Sequence, residues 1–191
     1  MTFACATKTE ERAARKLGAR TVLVGIGARH VPDERVVSFG LAGGLHEGLA
    51  CGEVLDATRV VDPDGKVLWE GAPLGVRGAR QATIVAVDSV VDDPGERRRL
   101  HERTGADAAD MESGALARAG RLAGCLRAVS DTPERTLGPL ANVLDAEGRV
   151  RPAGLVRALV APRRTGRALA DVRHALDSLQ HSVARSEGAV A

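Results

Sequence analysis

The chain has no tyrosine, two phenylalanines and one tryptophan. That leaves almost no aromatic platform on which unstacked bases could lie. Its net charge is only +2 and no basic block stands apart, so the electrostatic footprint of a nucleic-acid partner is missing as well. Cysteine is scarce: Cys5, Cys51 and Cys125 are odd in number, far apart and without a C-x-x-C pair. This argues against a disulfide framework or a zinc site and for a reducing cytoplasm. Nowhere do about 18 apolar residues run together. The first residues, Met1 to Glu11, lack the charged head and apolar stretch of a secretory signal. The expectation is a cytoplasmic protein that does not span a membrane.

What is present fits one compact domain. At 191 residues with 44% hydrophobic side chains, the chain can bury a sizeable core, so residues 1–191 are read as a single domain. Four apolar runs ending in glycine or small polar residues read as buried strands: Thr21–Gly27, Arg35–Gly44, Ala82–Asp88 and Leu126–Asp131. Helices are expected over Pro94–Thr104, over Met111–Ala123 and twice near the C-terminus, while 62–65 and 71–75 read as turn or loop. The alternation predicts an α/β sheet covered by helices, with ligands at the carboxyl ends of strands. The tail from Thr165 to Ser186 spaces Leu169, Val172, Leu176, Leu179 and Val183 as an amphipathic helix. It packs on the domain or, with Arg163, Arg164 and Arg167 before it, lies against a partner or a membrane surface.

One carboxylate stands out. If Asp110 caps the helix beginning at Met111, Glu112 shares a face with Leu116, Ala119 and Ala123. A carboxylate there needs protein donors, ligand hydroxyls or both, because unpaired burial shifts its pKa or costs several kcal/mol. It is either part of a pocket or paired with an arginine in the core.

Three segments occur in an order that carries more than any one of them: Ser38-Phe-Gly-Leu-Ala-Gly-Gly-Leu with Cys51-Gly-Glu-Val, then Ala109-Asp-Met-Glu-Ser-Gly-Ala-Leu-Ala, then Arg127-Ala-Val-Ser-Asp131. This pattern resembles the purine nucleoside phosphorylase and nucleosidase superfamily over about Phe3 to Arg149. Val24-Gly-Ile-Gly-Ala, Thr104-Gly-Ala-Asp-Ala-Ala-Asp-Met-Glu-Ser and Asp145-Ala-Glu-Gly make it most similar to the hopanoid-associated phosphorylases. The resemblance implies a three-layer α/β/α fold with a mixed sheet, a core of about 3–149 and a helical extension of about 152–186. It also implies cleavage of the bond between a purine and a ribose through an oxocarbenium-like transition state.

The same resemblance distributes the roles. Asp131 hydrogen-bonds or protonates the departing base, which requires a pKa raised by its pocket; on its own it is equally a cap of the following turn. Ser130, Val90 and Val91 fall on the purine side. Met111 lies against the sugar and Glu112 takes its hydroxyls. Gly40, Gly43 and Gly44 bring backbone close to phosphate or nucleophile, or else form a tight turn chosen for packing. Glu10, with Glu11 as rival, activates water in the hydrolytic branch; both also read as a capped helix start, Thr9-Glu-Glu-Arg. Lys8, Arg12 and Arg29 are the candidate phosphate cations.

No cofactor is implied, with inorganic phosphate a co-substrate if the reaction is phosphorolysis. The implied substrate is a purine nucleoside carrying a 5′ substituent, such as adenosylhopane, which would bring the protein to the membrane periphery. The alternatives are a nucleosidase for methylthioadenosine or adenosylhomocysteine, and a nucleoside- or lipid-binding homologue without turnover. Relatives lead one to expect a homo-oligomer. The sequence departs from them in three places: Leu41 replaces a hydroxyl residue, Val87–Val91 offers aliphatic rather than aromatic walls that Phe39 or Trp69 would have to supplement, and no helix fits between Gly27 and Val36 or between Trp69 and Thr83.

Overall fold

The computed structural model describes residues 1–142 and 161–186. Eight strands form one sheet: β1 (Thr2–Cys5), β2 (Arg20–Leu23), β3 (Val36–Gly44), β4 (Val54–Val61), β5 (Val67–Glu70), β6 (Arg80–Ala86), β7 (Ala108–Asp110) and β8 (Leu122–Asp131). The helices are α1 (Lys8–Arg15), α2 (Pro94–Thr104), α3 (Ser113–Arg118) and α4 (Pro162–Ala184), with a 3-10 turn at Gly138–Asn142. The expected mixed α/β sheet with flanking helices is the observed fold.

Strand order is β2-β1-β3-β7-β6-β4-β5, and β8 pairs with both β3 and β4. The pairings β3-β7-β6-β4-β8-β3 therefore close into a ring. β8 lies parallel to β3 and antiparallel to β4, which brings Asp131 level with Gly43. A strand paired on both sides has no edge to blunt, and β8 is buried along nearly its whole length.

Two core clusters hold most of the buried apolar side chains, beside a third around Leu45, Val85 and Leu100. One includes Val36, Leu55, Val60, Ile84, Leu122 and Val129 with Leu116 of α3. The other joins Phe3, Phe39, Val54 and Leu126 to Ala13 and Ala14 of α1 and to Ala175, Leu179 and Val183 of α4. Burial of such side chains contributes about 1.5–3 kcal/mol each before conformational entropy is subtracted.

Local chemistry explains the helix boundaries. Thr7 and Glu10 form a capping box that starts α1. Asp93 caps α2, Pro94 opens it and Gly105 ends it with φ +66°. The expected span Pro94–Thr104 is observed. The tail helix also forms and packs on β8, β3 and β4, the docked arrangement of the two expected, but its buried side is turned toward Ala168, Asp171, Ala175 and Leu179, leaving Leu169 exposed.

The expected helix Met111–Ala123 is shorter, and its face differs. Residues 108–110 are strand, helix α3 spans only Ser113–Arg118 before Gly120 turns the chain at φ +69°, and β8 begins at Leu122. Ala119 is exposed and Ala123 lies in a strand, so Glu112 does not share a helical stripe with them. The strand expected over Thr21–Gly27 ends at Leu23, because Gly25 and Gly27 both adopt positive φ. β4 and β5 form a hairpin around the turn at Asp62–Gly65 that the sequence pattern did not mark as strands.

Neither 27–36 nor 70–80 contains a helix. The second of these loops is held by the buried Asp56 carboxylate, which accepts the backbone N–H groups of Leu74, Gly75 and Val76 at 3.0, 2.8 and 3.3 Å. The second expected C-terminal helix and the segment Asp145-Ala-Glu-Gly lie outside the described residues.

Candidate active site

Elements from across the sheet converge on one cavity of about 520 Å³ at the carboxyl ends of β3 and β8. Glu10, Gly43, Met111, Glu112, Ser130 and Asp131 all line it, as do Val90 and Val91. Gly40 and Gly44 are not among its lining residues.

Glu10 reaches the cavity because it is the capping glutamate of α1. Its Oε2 accepts the Thr7 N–H at 2.8 Å and the Thr7 hydroxyl at 2.9 Å, and its Oε1 accepts the Leu41 N–H at 3.2 Å. The helix start expected at Thr9 is capped two residues earlier, by Thr7, and the Glu10 that completes this cap also lines the cavity. Glu11 points elsewhere, pairing with Arg15 at 2.8 Å. A Cβ at position 40 would collide with the Glu10 carboxylate, so a side chain there would have to displace it. In the same way a Cβ on Gly43 would stand 3.2 Å from Asp131 Oδ2. Gly40 and Gly43 make room for carboxylates, while Gly44 lets the Asp131 backbone and the Val129 and Leu49 side chains come close.

Glu112 is 9% exposed and sits at the turn between β7 and α3. Its Oε1 accepts the Gly27 N–H at 3.1 Å, a donor presented by a residue at φ +75° that favours glycine. Its Oε2 lies 3.6 Å from Arg127 Nη2. Burial pushes the Glu112 carboxyl up to about 8; Arg127 and the Gly27 N–H oppose the rise, while Asp110 and Glu10 add to it.

Arg127 is the organising cation that the sequence reading left without a role. It is 1% exposed, pairs with Asp110 through both Nε and Nη2, and donates to Ser38 Oγ at 2.6 Å. Burial works against its charge, but Asp110 and Glu112 more than offset it, so the guanidinium stays protonated. Asp110 in turn accepts the Ser113 N–H at 3.2 Å and its hydroxyl, fixing the turn that carries Glu112. The signal was available: an arginine inside an otherwise apolar strand must meet a carboxylate.

Asp131 is 2% exposed. Ser130 Oγ donates to its Oδ1 and Arg97 Nη2 to its Oδ2. Burial raises its pKa above the usual carboxylate range, with Arg97 and Ser130 pulling against that rise. It is therefore neither a turn cap nor a free acid. Arg97 also escaped the sequence reading, since it sits in the run Arg97-Arg98-Arg99, where nothing marks which member turns inward.

The remaining candidates are placed elsewhere. Lys8, Arg12 and Arg29 do not line the cavity, and Arg97 is the one cation that does among the described residues. Phe39 stacks on Phe3 at 4.9 Å inside the core, and Trp69 packs against the cluster around Leu55 and Val60, so neither supplies an aromatic wall. Residues Leu137, Leu140 and Val172 give the cavity an aliphatic rim. Among the described residues no group of His, Cys, Asp or Glu is arranged to hold a metal ion, all three cysteines are free, and no helix is long and apolar enough to cross a membrane.

Comparison with known proteins agrees with this architecture. Residues 70–161 match the model of the phosphorylase superfamily. A search of curated proteins returns no match. Among solved structures, a Helicobacter pylori 5′-methylthioadenosine/S-adenosyl homocysteine nucleosidase superposes with TM-score 0.63 at 15% identity, covering 97% of each chain. The futalosine hydrolase of Helicobacter pylori strain 26695 gives 0.62 at 14% identity, again over 97% of each. A putative nucleosidase of the first kind from Francisella philomiragia gives 0.60 at 14%, covering 99% of this chain and 97% of that one. At these identities the likeness is one of fold.

Proposed function

We propose that the protein is an enzyme that cleaves the N-glycosidic bond of a purine nucleoside, with water as the nucleophile. The observation that carries this reading is the convergence of three carboxylates, Glu10, Glu112 and Asp131, on one cavity with no uncommitted cation among the described residues that line it. Phosphate would bring negative charge into a pocket already acidic, and nothing described there offers to neutralise it. A water held by Glu10 needs no such partner.

Each carboxylate then has one task. Asp131 supplies a proton or strong hydrogen bond to the departing purine, which lowers the charge that the leaving group must bear. Glu112, on the Met111 side, takes the ribose hydroxyls, and positive charge growing on the ring favours its ionised form. Glu10, held by Thr7 and Leu41, accepts a proton from the water that attacks the anomeric carbon. The base stacks on aliphatic side chains, Val90 and Val91 among them.

The finer reading is release of adenine from an adenosine substituted at the 5′ carbon by an apolar group, with adenosylhopane as the lipid-linked form that the sequence resemblance implies. The aliphatic rim of Leu137, Leu140 and Val172 supports it, because an apolar substituent leaving the pocket would meet that surface. The same reading takes the protein as a homo-oligomer. The two solved Helicobacter pylori enzymes, named for methylthioadenosine or adenosylhomocysteine and for futalosine, place small nucleosides on the same test panel. Purified protein is incubated with adenosine, methylthioadenosine, adenosylhomocysteine and adenosylhopane, and free adenine is measured. Release from at least one is expected; release from none would refute the enzymatic reading and leave a binding protein.

A further inference from the structure

The guanidinium of Arg97 is 1% exposed and ties together three segments that the proposed reaction needs in register. Nε donates to Val91 O at 2.8 Å, on the wall assigned to the purine. Nη1 donates to Gly44 O at 3.0 Å, at the end of β3. Nη2 donates to Asp131 Oδ2, at the end of β8. The side chain comes from the first turn of α2, whose start is fixed by Asp93 and Pro94, so its root is as well anchored as its head. Three acceptors around one planar fork define its orientation in a way that a lysine ammonium cannot reproduce.

We propose that Arg97 is the positioning residue of the site, holding Asp131 in the orientation that faces the purine and stabilising the carboxylate left behind when Asp131 gives up its proton. The inference rests on the reading of Asp131 as the proton donor. The balance is simple. The Asp131 carboxyl O–H breaks as an N–H forms on the base, the glycosidic electron pair leaves with the purine, and solvent returns a proton to Asp131 after release. Through this cycle Arg97 keeps its own proton and serves as counter-charge. Ser130 holds the other carboxylate oxygen, so both oxygens have fixed donors and the rotamer is locked.

The surrounding charges are few. Facing Asp131 are Arg97 and, 3.9 Å from the same Nη2, Asp92 in the loop before α2. From α4 comes Asp171, paired with Arg135 of the segment after β8 at 2.6 Å, and the Cys51 thiol feels the charges of that pair and of Asp131. Arg97 is the one cation in direct contact with the Asp131 carboxylate among the described residues. Burial lifts the proton affinity of Asp131 and Arg97 restrains it; removing Arg97 lets it rise further, so the protonated form persists to higher pH.

The test compares wild type, Arg97→Met and Arg97→Lys in two measurements. The first is the pH profile of kcat for purine release. The second is titration of the Asp131 carboxyl by carbon-13 NMR, assigned with Asp131→Asn, which needs no turnover. Arg97→Met should lower kcat about 10²-fold at the wild-type optimum, at the low end of what proton transfer contributes, and move the alkaline limb upward. The carboxyl titration should move upward with it. Arg97→Lys should restore the limb more fully than the rate, since it returns the charge without the fork. In an Asp131→Asn background, Arg97→Met should cost at most a few-fold more. An unmoved limb together with an unmoved carboxyl titration, in folded Arg97→Met or Arg97→Lys, overturns the proposal. A wild type that releases no purine while the carboxyl titration still shifts would refute the proposed reaction and leave the hold of Arg97 on Asp131 standing.

Discussion

Arg127 Nη2 stands 3.6 Å from Glu112 Oε2 while the same guanidinium clasps Asp110, two residues earlier in the chain. The pairing with Asp110 is closer and uses two nitrogens, so Glu112 receives only part of the compensating charge. A buried acid with half a partner is poised between its two protonation states, which suits the proposed role of meeting ribose hydroxyls.

Replacing Arg127 by methionine should therefore harm more than catalysis. It strands Asp110 and Glu112 as uncompensated buried acids, and breaking such a pair typically costs about 3–5 kcal/mol. Urea denaturation should show a loss of that size at neutral pH. Adding Asp110→Asn to Arg127→Met should return a substantial part of it, because one stranded charge is then gone.

Glu112→Gln separates charge from shape. The native carboxyl rises from its ordinary value near 4.5 to about 8 on folding. The folded state thus binds a proton that the unfolded chain has already released, and this contribution is complete below about pH 4.5 and lost as pH climbs through about 8. The difference in Tm between wild type and Glu112→Gln should move in favour of the glutamine variant between pH 5 and pH 9, as followed by calorimetry. A constant difference across that range would contradict the assignment.

Much of this site was legible before any coordinates, and what was not has physical causes. Glu10, Met111, Glu112, Ser130 and Asp131, all candidates from the sequence, line one cavity, although the cap of the first helix was expected at Thr9 and is Thr7. Helix periodicity misread residues 111–123, because alanine-rich sequence fits helix and buried strand alike, and the deciding feature was the positive φ of Gly120. The roles of the glycines were also partly hidden. A glycine-rich strand end announces close approach, but not whether a phosphate or a neighbouring carboxylate does the approaching. Arg97 illustrates the remaining gap: three successive arginines are equivalent until the pitch of α2 turns one toward Asp131.

Glu10→Gln tests the nucleophile's base. The amide can keep the contacts to Thr7 or to Leu41, so the fold and the affinity for nucleoside should change little. Turnover should fall by about 10²–10⁴-fold, the range of a general base. Steady-state kinetics beside direct binding of the nucleoside would show the split. A variant with unchanged kcat would place water activation elsewhere.

The measurement that bears most directly on a hydrolytic nucleosidase is the fate of the sugar. Nucleoside is turned over in water enriched in oxygen-18 with inorganic phosphate present, and the sugar product is examined by mass spectrometry. The account predicts free purine and a sugar whose anomeric hydroxyl carries the heavy oxygen, at a rate that phosphate does not raise. A sugar 1-phosphate formed at the expense of the labelled sugar would contradict it.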